Sequence, residues 1–334
     1  MTVYYRPIVQ TDQCKPSHAR SIAGGWTWFS QAERIERGGQ STVVSISDMP
    51  DDIVNRISTP RASIAGLSMG VPCIMGILNV TPDSFSDGGK FHATDQGILH
   101  AKRMIGEGAD IIDIGGESTR PGAQEVDVQE EIARIAPVIH GIRATSDVAI
   151  SIDTRKAKVA EAAIAAGAAL VNDVSAFDFD PEMAETVKNS DLPVCLMHAQ
   201  GGPETMQNDP RYDDVLLDVY DYLFEKVEAA VAFGISRTNI IVDPGVGFGK
   251  KLEHNIRLLK GLSLFHSLGC PILLGASRKR FIGTIGNAPK ADERISGSVS
   301  VAMTAVSQGV QILRVHDVAE TRQAMSLHLA VMTA

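Results

Sequence analysis

Eight short apolar runs recur along this chain, at 73–89, 111–123, 149–154, 170–176, 194–202, 240–250, 272–280 and 312–318. Each turns polar or glycine-rich on its C-terminal side. The first reads CIMGILNVTPDSFSDGG, an apolar stretch that runs into Asn79 and then into Thr81, Asp83, Ser84, Asp87, Gly88 and Gly89. A buried asparagine at a strand end is costly unless something hydrogen-bonds it. Polar groups gathered on one side of every strand therefore mark an enzyme and show where its site lies. Between the runs the spacing turns helical. Helices are predicted over 95–107 with Thr94 as N-cap, 127–143, 155–166, 181–188, 213–233, 252–266, 293–308 and 317–332. In the second of these Val128, Ile132, Ile135, Ile139 and Ile142 share a face, and Asp127, Glu130 and Glu131 occupy the first turn, where the helix dipole favours acids. Strand then helix, eight times over, predicts an α/β fold of the (β/α)8 TIM barrel type, whose catalytic residues gather at the C-terminal ends of the strands. A doubly wound open sheet has the same local pattern but confines its ligand to one switch point.

Residues 1–69 stand outside the repeat and carry Tyr4, Tyr5, Trp26 and Trp28. A strand is expected at 41–47, a helix at 50–57, and an ordered segment at 21–37. These describe a small N-terminal α/β extension that packs on the 70–334 barrel or serves dimerisation, in a role the sequence does not set.

Composition narrows the class. With 334 residues and 44% apolar content the chain can bury a large core. A net charge of −9 argues against nucleic-acid binding, which needs a basic face. An acidic protein that handles an anion must concentrate cations in its site. No run of about 18 apolar residues suggests a membrane span, and no secretory segment stands at the N-terminus. Cys14, Cys73, Cys195 and Cys270 are widely spaced, which reads as free thiols in a cytoplasmic protein.

The cations follow the last two strands. Arg314 and His316 flank Val315, so alternation points both to one side, and Ser277, Arg278 and Lys279 follow the seventh run. Barrels often bind phosphate through these two loops, so an anionic substrate is expected; an exposed basic run is the alternative for either cluster alone. Asp153, Asn172 and Asp243 end the third, fourth and sixth runs, where each should be partly buried and need donors. A ring carrying an amino group beside a ring N–H would supply two parallel hydrogen bonds to Asp243, and helix capping is the other reading. Asp173 and Asp317 look like caps or turns. GGESTRPGA and PGVGFGK let backbone approach a flat ligand or a phosphate. The second lacks the spacing and the Ser/Thr of a nucleotide-binding phosphate loop. No His-x-His or His-Glu-x-x-His pattern speaks for zinc; magnesium shared between Asn79 and a substrate diphosphate suits the oxygen donors better. No Gly-x-Ser-x-Gly elbow supports covalent catalysis.

ILNVTPDSFSDGG at 77–89 and DIGGESTRPGA at 113–123, followed in order by IDTRKAKVAEAAIAAGAALVNDVSA, LMHAQGGPETMQ, DPGVGFGK, GASRKRFIG and RVHDV, closely resemble the motifs of the dihydropteroate synthase family over roughly residues 70–330. The resemblance implies condensation of 6-hydroxymethyl-7,8-dihydropterin diphosphate with p-aminobenzoate, with magnesium, in a homodimeric enzyme sensitive to sulfonamides. It implies that Asp153, Asn172, Asp243 and Lys279 hold the pterin, and that Asn79, Arg314 and His316 hold the diphosphate and metal. Thr119, Pro121, Phe85, Phe248 and Lys279 would surround p-aminobenzoate. Asp87 lies in the first loop, whose closure would shield a pterin cation; with Lys279, Arg314 and His316 it forms the implied catalytic set. Two departures stand out: the long N-terminal segment, and Ala199 where the family often has Met. A pterin-binding methyltransferase would share the barrel but not need two anion clusters. A non-catalytic relative should lack Arg314, His316 or the first loop.

Overall fold

The computed structural model describes residues 3–81, 89–118 (side chains from Thr94), 124–201, 206, 208–332 and 334. Eight parallel strands, β6 (Cys73–Asn79), β7 (Ile111–Gly115), β8 (Ala149–Asp153), β9 (Leu170–Asp173), β10 (Val194–Met197), β11 (Ile240–Asp243), β12 (Leu273–Leu274) and β13 (Ile312–Val315), form one sheet in the order β11-β10-β9-β8-β7-β6-β13-β12. A parallel bridge between Val242 and Ile272 joins its two ends, and the Val242 N–H donates to the Pro271 carbonyl at 3.0 Å. The sheet is thereby a closed (β/α)8 barrel.

Helices α2 (Gly89–Gly106), α3 (Val128–Arg143), α4 (Ala157–Ala166), α5 (Met183–Ser190), α6 (Val215–Phe233), α7 (Leu252–Lys260), α8 (Arg280–Ile285), α9 (Ile295–Ser307) and α10 (Val318–Met332) follow the strands. Most lie within two residues of their predicted bounds. Asp127 caps α3 by accepting from Gln129 N at 2.8 Å, and Asp214 caps α6 through Leu216 N at 3.0 Å. Three expectations change. α2 begins before Thr94, which is therefore inside the helix and not its cap. The helix expected over 252–266 breaks at Gly261, beyond which Leu262–Leu268 is a 3-10 segment. The short α8 had no periodicity to announce it.

Parity along the strands divides the core. Ile74, Leu78, Ile112, Ile114, Ile150, Ile152, Val171 and Leu196 face outward to the helices. Cys73, Met75, Ile111, Ala149, Leu170, Cys195, Ile241, Leu273 and Ile312 fill the lower interior. The extension supplies the floor's underside. Its strands β1 (Val3–Pro7), β4 (Gln31–Glu36) and β5 (Thr42–Ser45) form an antiparallel sheet in the order β1-β4-β5, beside the pair β2 (Arg20–Ser21) and β3 (Trp28–Phe29) and helix α1 (Asp51–Ser58). A tight turn, bridged between Ile64 and Leu67, has positive φ at Ala65 and Gly66. Beside it Ile64 and Met69, both fully buried, close the N-terminal end of the barrel against its lowest inward layer. The sheet lies on the barrel's flank: the Ser263 hydroxyl donates to Pro7 O at 3.0 Å, and Trp26 Nε1 to Val306 O at 2.8 Å.

Because Ile64 is enclosed on all sides, Ile64→Ala should lower unfolding free energy by about 2–4 kcal/mol. Denaturant titration checks this, and an unchanged midpoint would show that the seal contributes nothing.

Candidate active site

Inward-facing positions change character one layer above Cys195 and Ile241. The same parity that places Ile111, Ala149, Leu170, Ile241 and Ile312 inside places Asp113, Ser151, Asp153, Asn172, Asp243 and Arg314 above them. Two of these inward positions are glycines. A Cβ on Gly115 would meet Asp153 Cβ at 3.6 Å and Asn79 Oδ1 at 3.8 Å; one on Gly275 would meet Asp243 Oδ2 and Arg314 Cδ at 3.7 Å each. Their missing side chains leave room for a flat ligand between the carboxylates.

Arg314 organises this layer. Its Nε donates to Asp113 Oδ2 and its Nη2 to Asp153 Oδ2, both at 2.6 Å. Asn172 Nδ2 adds a bond to Asp113 Oδ2 at 3.2 Å. Burial alone would favour a neutral Arg314, but Asp113 and Asp153 outweigh it and raise its pKa. Burial pushes Asp153 up to about 7 against the pull of Arg314, with the negative charge of Asp113 adding to the rise. The second oxygens of Asp113 and Asp153 are buried and find no partner among the described residues. Buried acceptors of this kind call for donors, and a ligand ring with N–H groups would supply them.

Asp243 is held differently. Its Oδ1 accepts the Gly245 N–H at 2.7 Å, which leaves Oδ2 beside the Gly275 gap. Burial raises its pKa, against the attraction of Lys279. The loop beyond it needs its glycines. A Cβ on Gly245, at φ +64°, would lie 1.8 Å from His198 O, and one on Gly247, at φ +87°, 2.8 Å from Lys279 Cδ. Lys279 Nζ thereby reaches the Val246 carbonyl and stands 4.3 Å from the centre of the Phe248 ring. Burial brings the Lys279 ammonium down to about 7, opposed by Asp243. Lys250, fully inside, ties this loop to the previous strand by contacting Phe248 O and His198 Nδ1, each at 2.9 Å.

The expected anion cluster after the seventh strand is smaller than the sequence suggested. Arg278 bonds Asp317 through Nε at 3.0 Å and through Nη2, so its guanidinium is committed to a structural pair. Asp317 is thus an ion-pair partner as well as a turn residue. Asp173 is a turn residue, accepting from Ser175 N at 2.8 Å and Phe177 N at 2.7 Å. His316 is half-buried, with Nδ1 at 3.1 Å from Ser277 Oγ. Arg314 points inward: its side chain is 19% exposed and lies among carboxylates. Phe85, Asp87, Thr119 and Pro121 lie outside the described residues.

Sequence reading passed over Asp113, fully buried in IIDIG. Its signal was a carboxylate in inward register with Ile111. It also passed over a buried ion cluster behind the site, where Glu117 pairs with Arg155 and Lys156 at 2.6 Å each and Lys156 with Glu131 at 2.9 Å. Glu117 also accepts the Val126 N–H at 2.8 Å, which fixes both ends of the segment between them.

The chain matches the family described as pterin binding enzyme over residues 75–316. It is 47% identical to the dihydropteroate synthase of Escherichia coli K12 over 268 residues, 80% of this chain and 94% of that one. The chain belongs to the dihydropteroate synthase family. Among solved structures it resembles the Yersinia pestis dihydropteroate synthase in complex with a sulfonamide drug, at 47% identity and TM-score 0.77, covering 82% of this chain and all of that one. The Xanthomonas albilineans dihydropteroate synthase in complex with 7,8-dihydropteroate matches at 41% identity and TM-score 0.75, with 82% and 100% coverage. The family match begins after the N-terminal extension.

Beyond the C-terminal ends of β8, β9 and β10 this dihydropteroate synthase family member has a cavity of about 280 Å³, lined by Arg155, Val174, Phe179, Met206, Tyr222 and Phe248 and by none of the polar-layer residues. Arg155 and Val174 each stand two residues beyond a layer residue, Asp153 and Asn172. A larger hollow of about 550 Å³, lined by Tyr212, Lys251 and His254, likewise includes no residue of the layer. No cluster of three metal-ligating acids, histidines or cysteines exists among the described residues. The Asn79 amide oxygen beside the Gly115 gap is a hard donor, suited to magnesium that takes its other ligands from phosphate and water.

If Asp153 accepts a ring N–H and Lys279 donates to the ring, each binds most strongly in its charged form. With both pKa values at about 7, pterin affinity should fall on either side of neutrality. Asp153→Asn should flatten the acid limb and Lys279→Met the alkaline one, as read by calorimetry across pH. An unchanged profile in both variants would refute the assignment.

Proposed function

We infer that this protein is a dihydropteroate synthase, condensing 6-hydroxymethyl-7,8-dihydropterin diphosphate with p-aminobenzoate to give 7,8-dihydropteroate and diphosphate for folate synthesis. The observation that carries the reading is the ring of Asp153, Asn172, Asp243 and Lys279 around a gap kept open by Gly115 and Gly275. A dihydropterin has the shape and the donor edge that such a gap accepts. Asp243 Oδ2 takes the amino group and adjacent ring N–H, Asp153 Oδ1 takes a further ring donor, and Lys279 donates to a ring acceptor.

The diphosphate leaves toward β13. Nε and Nη2 of Arg314 are committed to Asp113 and Asp153, so Nη1 is the edge offered to the leaving group, alongside His316 oriented by Ser277. Asn79 would hold magnesium together with the diphosphate, where the ion neutralises leaving-group charge. As the C–O bond breaks, positive charge spreads over the dihydropterin, and the carboxylates beneath it stabilise that charge. The arylamine nitrogen then forms the C–N bond and releases its proton; no side chain is assigned as base. Phe248, braced by Lys279, forms one wall for the aromatic ring, and Phe85, Thr119 and Pro121 are proposed to complete it, with Asp87 on the covering loop. The three buried free cysteines suit the reducing cytoplasm.

Diphosphate release by purified protein with both substrates and magnesium, against controls omitting each, tests the activity. Sulfonamides should compete with p-aminobenzoate and not with the pterin. Asp243→Ala should abolish pterin binding, while Phe248→Ala should raise KM for p-aminobenzoate and spare pterin affinity; one shared defect would undo that division. Arg314→Ala would strand two buried carboxylates at about 3–5 kcal/mol, so Arg314→Lys is the informative change. It keeps the charge, loses the planar fork, and should cost on the order of 100-fold in kcat. A folded Arg314→Lys protein with the parent kcat would overturn its role.

A further inference from the structure

The extension lies outside the family match, yet it touches the segment that walls the active-site mouth. Arg37, just after β4, donates from Nη1 to Asp218 Oδ1 at 2.5 Å and from Nη2 to Asp221 Oδ2 at 2.7 Å. Tyr4 adds its hydroxyl to Asp221 Oδ2 at 2.8 Å. Asp218 has a second task. Its Oδ2 accepts the backbone N–H groups of Asp213 at 2.9 Å and Asp214 at 3.2 Å, at the entry to α6. The residues just before them continue the chain of contacts. Tyr212 donates its hydroxyl to Gly249 O at 2.7 Å, and Gln200 pairs with the Arg211 backbone through both amide atoms at 3.1 and 3.2 Å. Gly201, Met206 and Phe248, on the far side of these contacts, line the 280 Å³ cavity.

We propose that Arg37 is a positioning residue for the barrel mouth: by fixing Asp218 it holds Asp213 and Asp214, and through Tyr212 and Gly249 the Phe248 wall proposed for p-aminobenzoate. Asp218 must present one oxygen to two N–H groups while its other oxygen is gripped from the extension, so its rotamer is set from both sides. Tyr4 donates to Asp221, which among the described residues has no hydrogen bond to Asp213 or Asp214, and accepts long contacts at 3.3 Å from Arg37 Nε and Nη2, leaving the Nη1 bond to Asp218 independent of it. The two extension contacts therefore differ in consequence although they share one interface. The inference rests on reading this mouth as the p-aminobenzoate end of the synthase site.

Arg37→Gln, Arg37→Lys and Tyr4→Phe distinguish a positioning role from a general one. The Arg37 and Asp218 side chains are 34% and 27% exposed, so the first change leaves no buried charge stranded and the protein should fold. Hydrogen–deuterium exchange should rise about tenfold at 212–216 in Arg37→Gln. KM for p-aminobenzoate should rise roughly 3- to 10-fold with kcat near the parent value. Arg37→Lys should recover part of both effects, and Tyr4→Phe should show neither. Unchanged exchange, a KM rise as large in Tyr4→Phe, or faster exchange with an unchanged KM would each overturn the proposal. Exchange is read without substrate, so it still decides whether Arg37 holds the segment should the parent prove inactive as a synthase.

Discussion

A single guanidinium makes the upper half of the barrel possible. Asp113, Asp153 and Asp243 all face an interior whose lower half is Ile, Leu, Met and Cys. Carboxylates placed there without a counter-charge would take up protons instead of serving as acceptors. Arg314 answers two of them at once with two N–H groups on one edge of its plane, a fixed fork that a lysine lacks. The pair spans the barrel: Arg314 on β13 reaches past β6 to β7 and β8. The polar layer is thus tied across the barrel and not only strand to strand, so its geometry is set before any ligand arrives.

The remaining carboxylate is managed from the side. Asp243 shares its field with Lys279, and both depend on a loop in which Gly245 and Gly247 leave no space for side chains. Lys250 locks that loop to His198 from behind. Floor and wall are consequently built by different means: ion pairs below, close backbone packing above. A ligand ring that enters between them exchanges water for contacts already oriented, which is where binding energy is retained.

How much of this could be read from sequence follows from what periodicity encodes. The eight strands and their C-terminal polar residues were legible because every strand is buried on both faces, so its limits coincide with the limits of its apolar run. Asp153, Asn172 and Asp243 stood out as polar breaks after such runs. Asp113 did not, because it interrupts a run that resumes with Ile114, and only its inward parity gives it away. Arg278 was grouped with Lys279 because adjacency in sequence says nothing about which neighbour claims a side chain; Asp317, 39 residues on, does. The extension was the least legible part. Its strands β1 and β4 are mixed in polarity, since one face meets the barrel and the other water, and their partners are remote in sequence.

That remoteness bears on the order in which the molecule can be made. The lowest inward layer that receives Ile64 and Met69 draws on strands from Cys73 to Ile312, and Trp26 finds its acceptor at Val306, 280 residues away. The extension leaves the ribosome before the barrel, and several of its partners emerge only with the last strands and helices. Such long-range closure is slow and leaves apolar surface waiting in the meantime. The nascent chain must therefore carry Ile64, Met69 and the inner face of β1 exposed through most of synthesis, and chaperone engagement should concentrate on these N-terminal residues and not on the barrel strands that follow.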